Sequence, residues 1–262
     1  MAKQHLSEYS STEALNIIAW GSPLALDSFD TRQGYKVVHK FGHNLDVNGS
    51  YETLWSAGGT YSYLSSATTL KISSADANDD DGDTGARTVL VQGLDTNYNE
   101  IEETVTLNGQ TAVNTSNEYL RVYRMTVQTA GSSNHNEGIV YAGTGTVTSG
   151  VPANIYAEIP AQYNQTMMAV YTIPADKTGY MTHFYASPDS QASFQTQLLC
   201  GNSAGIMRVR NQLHAFQTQA MFNYRPYLKI DEKTDVELRC AVGTANTEFG
   251  GGFSIILVDS KA

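Results

Sequence analysis

The chain reads DVELRCAV from Asp235 to Val242, an alternation in which every second side chain is a sizeable apolar one. Successive side chains of a β-strand point to opposite faces, so this period of two predicts a half-buried strand. The side chains expected to face the core are Val236, Leu238, Cys240 and Val242. Those expected to face outward are Asp235, Glu237, Arg239 and Ala241.

Strand signals of the same kind lie earlier in the chain. Residues 101–107 alternate, and the Asn108-Gly109 pair that follows is the strongest short signal for a tight hairpin turn. Residues 111–113 are the expected returning strand. Residues 121–127 also alternate and predict a half-buried strand.

A second series of strand signals follows residue 163. Residues 167–173 are apolar almost throughout, which predicts a strand covered on both faces. Residues 180–185 alternate, and residues 253–258 predict a closing buried strand. Residues 207–220 favour a strand, although Leu213, Phe216 and Ala220 also fit a helical face. The Gly, Thr and Ser-rich residues 143–150 predict a long turn or an inter-domain connection.

Composition favours the same class, because 16 Tyr, 22 Gly and only 16% charged residues are typical of strands joined by turns. We predict an all-β protein of two antiparallel, jelly-roll-like β-sandwich domains preceded by an extended N-terminal arm. The expected boundaries are 1–45 for the arm, 46–160 for the first sandwich and 161–262 for the second. Capping-box spacing at residues 10–13 predicts one short helix in the arm.

The net charge of −10 argues against nucleic acid as a partner, because an acidic surface repels phosphates. No apolar run reaches the roughly 18–20 residues that a membrane span needs, so no membrane partner is expected and the protein is predicted to be soluble. The first residues contain neither an apolar stretch nor a cleavage site for secretion. Synthesis in the cytoplasm is the expectation.

An acidic loop at residues 76–83 is the most conspicuous polar cluster. It is either a solvated hairpin loop or a site for calcium, which takes six to eight oxygen ligands. An EF-hand does not fit, because placing Gly82 at the sixth loop position puts Ala77 at the first and Thr88 at the twelfth. Neither residue supplies a carboxylate.

The histidines and cysteines give weak signals. His39 and His43 have metal-like spacing, but Gly42 argues against a helix there, and surface or interface histidines are the favoured reading. Cys200 and Cys240 lie in apolar runs, which favours two buried thiols and leaves a bridge between neighbouring strands open.

Motifs for catalysis are missing from the sequence. There is no Gly-x-Ser-x-Gly, and Gly143, Gly145 and Gly150 lack the Lys-Ser/Thr ending of a phosphate loop. Glu102 and Glu103, as strand neighbours, point to opposite faces and cannot flank one glycosidic bond. We therefore predict no catalytic, cofactor-binding or metal-binding residues, no cofactor and no enzyme activity, leaving only sites assembled by tertiary structure.

Aromatic residues form the remaining candidate contact set. They suit packing in the core and turns, or a surface that contacts protein or carbohydrate. The set is Tyr51, Trp55, Tyr61, Tyr63, Tyr156, Tyr163, Tyr224 and Tyr227.

Several short segments together resemble a family of virion structural proteins of tailed bacteriophages, typical of phages of aquatic bacteria. The resemblance runs from about residue 37 to the C-terminus and is weakest in the first forty residues. Its segments are 38–44 (VHKFGHN), 55–61 (WSAGGTY), 84–89 (TGARTV), 93–95 (GLD), 103–109 (ETVTLNG), 119–125 (YLRVYRM) and 169–175 (AVYTIPA).

The resemblance implies a particle component located in the virion and assembled in the host cytoplasm. The favoured hypothesis is a capsid decoration or cement protein that binds the major capsid protein or other virion subunits, with self-association. A tail, neck or fibre-associated protein contacting the host surface is the alternative, for which the Tyr-rich loops are the sequence hint. The resemblance supplies no catalytic residues. An arm that buries its apolar residues on a neighbour suits either role.

Overall fold

The computed structural model describes residues 35–201, 205–243 and 246–260. The predicted all-β class is confirmed: these residues form strands and turns, and no helix among them could span a membrane. The predicted arm as far as residue 34, with its short helix, lies outside the described residues.

The strands are β1 (Tyr35–Val47), β2 (Glu52–Thr53), β3 (Thr68–Ser74), β4 (Ala86–Leu94), β5 (Glu100–Thr106), β6 (Val113–Tyr119), β7 (Arg121–Ala130), β8 (Val140–Thr148), β9 (Val151–Ile159), β10 (Val170–Thr172), β11 (Lys177–Pro188), β12 (Ser193–Gly201), β13 (Met207–Phe216), β14 (Ala220–Ile230), β15 (Asp235–Val242) and β16 (Thr247–Asp259).

The strands form two sandwiches, each with its own apolar core. The terminal sandwich packs the sheet β1-β16-β11-β14 on the sheet β10-β15-β12-β13, in which β2 also pairs with β15. The inserted sandwich packs β6-β3-β8-β9 on β5-β4-β7 and enters the chain between β2 and β10. All strand pairings are antiparallel, as the alternating patterns predict.

Residues 35–45, which the sequence analysis assigned to the arm, form most of β1. This strand pairs with β16 at the other end of the chain, from Tyr35 opposite Val258 to Val47 opposite Thr247. Residues 35–53 therefore join the C-terminal strands in one sandwich. A pairing between strands about two hundred residues apart leaves no local pattern, which is why β1 resembled an irregular segment in the sequence.

The chain crosses between the sandwiches through two adjacent segments. The Ala169 amide donates a 2.8 Å hydrogen bond to the Leu54 carbonyl, and Trp55 forms a bridge with Met168. Residues 167–173 are covered on both faces, as predicted: Met168 and Val170 pack in the inserted core, whereas Ala169, Tyr171 and Ile173 pack in the terminal core. The two cores therefore lie on opposite faces of this segment.

For strand β15, the structure confirms the predicted core-facing side but not the predicted solvent-facing side. Its four apolar side chains lie in the terminal core, as the alternation indicated. The prediction that the opposite face points to solvent is wrong, because Asp235 is 2% exposed and Glu237 is 0% exposed. The inserted sandwich covers that face, and nothing in a period of two distinguishes a solvated face from one covered by a second domain.

The structure also tests the sequence predictions for residues 207–216, residues 143–150 and the Asn108-Gly109 turn. Residues 207–216 form strand β13, so the strand assignment is confirmed there. Residues 143–150 do not form a long turn, because β8 and β9 continue through them around a tight turn at Ser149 and Gly150. Asn108-Gly109 is not a hairpin turn, since β5 and β6 lie in opposite sheets. Gly109 still adopts a positive φ of 53°, so the turn is real but it joins the sheets.

Candidate subunit-contact surface

A buried ion pair joins the two sandwiches. Arg121 of β7 donates to both carboxylate oxygens of Asp235 on β15, at 2.8 and 3.0 Å. The Leu64 and Leu120 carbonyls accept from Arg121 Nη1, and Thr172 Oγ1 donates to Asp235. Both charges are therefore paired and hydrogen-bonded, which is the condition under which charges are tolerated in a core.

A second buried carboxylate, Glu237, lies on the same face of β15. Arg239 Nε donates to it at 2.6 Å, Tyr63 Oη donates at 3.3 Å, and Thr53 Oγ1 donates as well. Burial, and then the Glu237 carboxylate, raise the pKa of Tyr63 well above its ordinary value. The phenol therefore stays protonated and remains a donor. This cluster holds strands β2 and β15 in register beneath the inserted sandwich.

The histidine pair with metal-like spacing lies on β1, but its rings have different partners. His39 Nδ1 lies 2.8 Å from Ser254 Oγ, and His43 Nε2 lies 2.6 Å from the Glu248 carboxylate. Ser254 Oγ is also 3.4 Å from His183 Nε2, so three neighbouring strands bring two histidines to one hydroxyl. Within residues 35–201, 205–243 and 246–260, no group of three or more His, Cys, Asp or Glu is arranged to hold a metal.

The position of His183 predicts sensitivity to acid. Burial, and then His39, lower the pKa of His183. The unfolded chain takes up this proton near pH 6.5, as ordinary histidines do, and the native state only at lower pH. Stability should therefore fall as the pH drops from about 7.5 to about 5.5 through this window, and it should fall less in the variant His183→Gln. Urea unfolding at the two pH values measures the difference.

The exposed His214 provides the control for this experiment. The variant His214→Gln should keep the acid dependence of the wild-type protein. If His183→Gln loses as much stability between the two pH values as the wild type does, the expected role of His183 is wrong.

The acidic loop is organised by one buried carboxylate, Asp79. Its two oxygens accept from the amides of Ala86, Glu137 and Gly138 at 2.8–2.9 Å and from Ser74 Oγ at 2.6 Å. Four protein donors thus occupy the carboxylate that lies deepest in the loop, and a carboxylate accepting several amide bonds is well satisfied.

The cysteines are internal, whereas the aromatic set ranges from core to surface. Cys200 and Cys240 are free and buried, and burial raises their pKa to about 11 and about 12. Both therefore remain thiols at neutral pH, and the bridge left open by the sequence is not formed. Within the aromatic set, Trp55 and Tyr61 are core residues, whereas Tyr163 is 50% exposed.

One stretch of the chain differs sharply in charge from the rest. From residue 190 to residue 230 there is no Asp or Glu, although the whole chain carries a net charge of −10. The same stretch contains Arg208, Arg210, Arg225 and Lys229. Strands β13 and β14 with Ile206, residues 206–230, are called the β13–β14 edge below. It is a basic area on an acidic protein.

Exposed apolar side chains concentrate on the same surface. Four of the seven large apolar residues that are exposed in the described part of the chain belong to the β13–β14 edge. They are Phe216 at 61%, Ile206 at 54%, Met221 at 51% and Val209 at 49%. Single exposed apolar residues are ordinary, but a cluster of them commonly marks a protein contact.

The backbone of this surface is also open. Strand β13 pairs with β12, and β14 pairs with β11, so each ends its sheet, and no pairing joins β13 to β14 across the described residues. An edge strand presents unpaired amides and carbonyls that another chain can bind. Pro226 removes one amide donor from β14, which leaves β13 as the better edge.

A cavity of about 490 Å³ lies at the end of β13. Phe216 and His214 line it from β13, and Ser193 and Gln195 line it from β12. Gln195 also accepts a hydrogen bond from Tyr51. The β13–β14 edge therefore combines exposed apolar groups, cations, an open backbone and a recess in which a partner side chain fits.

Periodicity within single strands and local chemical motifs do not reveal this surface. The detectable signal was the acid-free run from residue 190 to residue 230 in an otherwise acidic chain. Charge distribution along the sequence was informative here, whereas total charge was not.

No family model matches the chain, and no curated protein matches it either. Among solved structures, T=1 particles derived from infectious bursal virus align with 87% of this chain and 70% of their own, at 9% identity and a TM-score of 0.23. The VP2 subviral particle of infectious bursal disease virus aligns with 88% of this chain and 74% of its own, at 12% identity and a TM-score of 0.23. The Gx strain of that virus gives 10% identity and a TM-score of 0.25. At these values the similarity carries no argument about function.

Proposed function

We propose that this protein is a non-enzymatic structural subunit of a virus particle that binds neighbouring subunits through the β13–β14 edge. In its most specific form, the proposal is a decoration protein that binds the major capsid protein on the shell of a tailed bacteriophage, assembled in the host cytoplasm. The main support for this proposal is the composition of the β13–β14 edge. Exposed apolar groups and four cations lie on two edge strands in a chain whose net charge is −10.

An edge of this kind has the physical properties that favour binding to another protein. Apolar side chains gain free energy when a partner removes them from water, and arginine and aromatic residues dominate the energetics of protein interfaces. On a repeating lattice, many such contacts act together, so moderate affinity per copy suffices. The acidic remainder of the surface keeps particles apart in solution. The resemblance to phage virion proteins supports the same role.

The proposal predicts that two carboxylates placed on the edge will abolish binding. In the double variant Phe216→Asp/Met221→Asp, incorporation into particles should fall by about tenfold or more, because each substitution removes an apolar anchor and leaves a charge that the interface must desolvate. The measurement is the copy number of the variant in particles from a phage whose own gene carries the change.

The matched control is Val151→Asp, which alters an exposed apolar residue of the inserted sandwich. This variant should be incorporated like the wild type, and circular dichroism should show both variants folded. Incorporation of a folded Phe216→Asp/Met221→Asp protein at the wild-type level would contradict the proposed role of the edge.

The position on the particle requires its own test. A shell decoration predicts density for a labelled subunit at many sites over the capsid in an electron-microscopic reconstruction. Label confined to one vertex, the tail or the fibres would contradict the decoration role and favour the tail-associated role. In that case the edge would still contact neighbouring subunits.

A further inference from the structure

A cavity of about 210 Å³ lies between the sandwiches, away from the β13–β14 edge. Strand β1 forms one wall, and strands β4, β7 and β10 form the other. Its volume corresponds to several waters at about 30 Å³ each, which is enough for a small ion with part of its hydration. The polar side chains that line it include Lys36, His39, Lys40, Gln92, Arg124 and Tyr171.

Lys40 is a buried cation without a carboxylate partner in the described chain. It is 4% exposed, donates a hydrogen bond to the Tyr123 carbonyl and lies 5.9 Å from the centre of the Tyr123 ring. Burial, and then the positive charge of Arg124, lower its pKa well below the ordinary value. A buried ammonium usually has a counter-charge, so Lys40 is the feature that needs an explanation.

Arg124 is held near Lys40 by a reciprocal arrangement. Lys40 of β1 donates to a carbonyl of β7, whereas Arg124 of β7 donates through Nη2 to the His39 carbonyl of β1 at 3.0 Å. Each cation is thus positioned by a neutral acceptor. An ammonium has three donors and a guanidinium has five, so both keep donors for another acceptor.

Two carboxylates of β5 near this cavity already have other hydrogen-bond partners. Glu100 accepts from Lys36 at 2.7 Å and from Tyr123 Oη at 3.3 Å, and Glu102 accepts from Gln92 at 2.9 Å. Both lie on β5 and are exposed. Within the described residues, neither Lys40 nor Arg124 therefore has a carboxylate hydrogen-bonded to it.

Tyr171 adds a polar group to this cavity. Its hydroxyl is buried and has no hydrogen-bond partner among the described residues, and the side chain is 1% exposed. Its ring lies 5.0 Å from that of Tyr123, which places it beside the backbone that Lys40 contacts. A buried hydroxyl without a partner is uncommon and often indicates an unseen water or ion.

We propose that this cavity binds a small inorganic oxyanion, of the phosphate or sulfate class, on Lys40 and Arg124 at the junction of the two sandwiches. The ion supplies the missing counter-charge and links β1 to β7. This proposal is independent of the subunit-contact role, because it involves neither β13 nor β14.

The test is ligand-dependent stability of the full chain. Phosphate and sulfate are titrated at constant ionic strength against chloride, and thermal unfolding and calorimetry are measured. At a hundredfold excess over Kd, the Tm should rise by about 5–10 °C and saturate. Lys40→Met and Arg124→Gln should each weaken binding about tenfold or more, since each removes a charge-assisted hydrogen bond.

Two comparisons separate this site from the general effect of these salts, which stabilise most proteins. Lys71→Met removes a cation that does not line this cavity and should bind the ion like the wild type. Lys40→Met should itself fold well, because it removes an unpaired buried charge and keeps most of the side-chain volume. An increase in Tm that does not saturate, or an equal increase in folded Lys40→Met and wild type, would overturn the proposal.

Discussion

Replacement of Arg121 by methionine is expected to lower the free energy of unfolding by about 3–5 kcal/mol, the usual cost of leaving one partner of a buried ion pair alone. The Asp235 side chain is 3% exposed and would keep only the hydroxyl of Thr172 among its present partners. The variant also removes the two bonds to the carbonyls of Leu64 and Leu120. Urea unfolding followed by circular dichroism measures the loss.

The double variant Arg121→Met/Asp235→Leu tests whether the cost comes from the orphaned charge. Apolar replacement of both partners is often nearly neutral, so this protein should recover to within about 1 kcal/mol of the wild type. Lys229→Met provides the surface comparison, since the Lys229–Asp231 pair is exposed and should contribute less than about 1 kcal/mol. A loss below about 1 kcal/mol in Arg121→Met would show that the junction does not depend on this pair.

The second large effect is expected at Gly42 of β1. A Cβ atom added there would lie 1.8 Å from the Leu54 carbonyl oxygen and 2.6 Å from the Ala169 amide. Both atoms belong to the hydrogen bond between the crossing segments, so neither can move without disturbing the entry to the inserted sandwich. Gly42→Ala should therefore cost about 3 kcal/mol or more, at or above the usual range for overpacking.

Gly250 is the matched control. In the pairing of β1 with β16, Gly42 lies opposite Gly251, and the next pair is His43 with Gly250. A Cβ atom at Gly250 meets nothing within 4 Å. Gly250→Ala should change stability by less than about 1 kcal/mol, since a strand glycine is not itself favourable. Equal unfolding midpoints for the two variants in urea would contradict the close approach of β1 to the crossing segments.

Much of the strand content was predictable because it depends on local periodicity. The alternation from Asp235 to Val242 correctly identified the core-facing side of β15, and the apolar run at residues 167–173 correctly indicated two covered faces. Local signals were misleading where the partner is distant. Asn108-Gly109 makes a turn in either topology, and only the positions of β3 and β4 decide that β5 and β6 join different sheets.

The candidate surface was predictable in part. The acid-free run from residue 190 to residue 230 is a property of the sequence and identifies an unusual region. That its strands end both sheets, and leave Phe216 and Met221 exposed, depends on which strands pair with β11 and β12. The cation pair Lys40 and Arg124 could not be found in the sequence, because the two residues are distant along the chain and lie in different sandwiches.

The sequence by itself determined an all-β chain, the faces of its strands and an uneven distribution of charge, since these follow from side-chain period and composition. Tertiary structure alone decided that β1 pairs with β16, that one sandwich is inserted into the other and that Asp235 and Glu237 are buried. The physical reason is that strand pairing is a contact between distant segments. A polar face is compatible with water or with a buried partner such as Arg121, and only the assembled fold brings that partner into place.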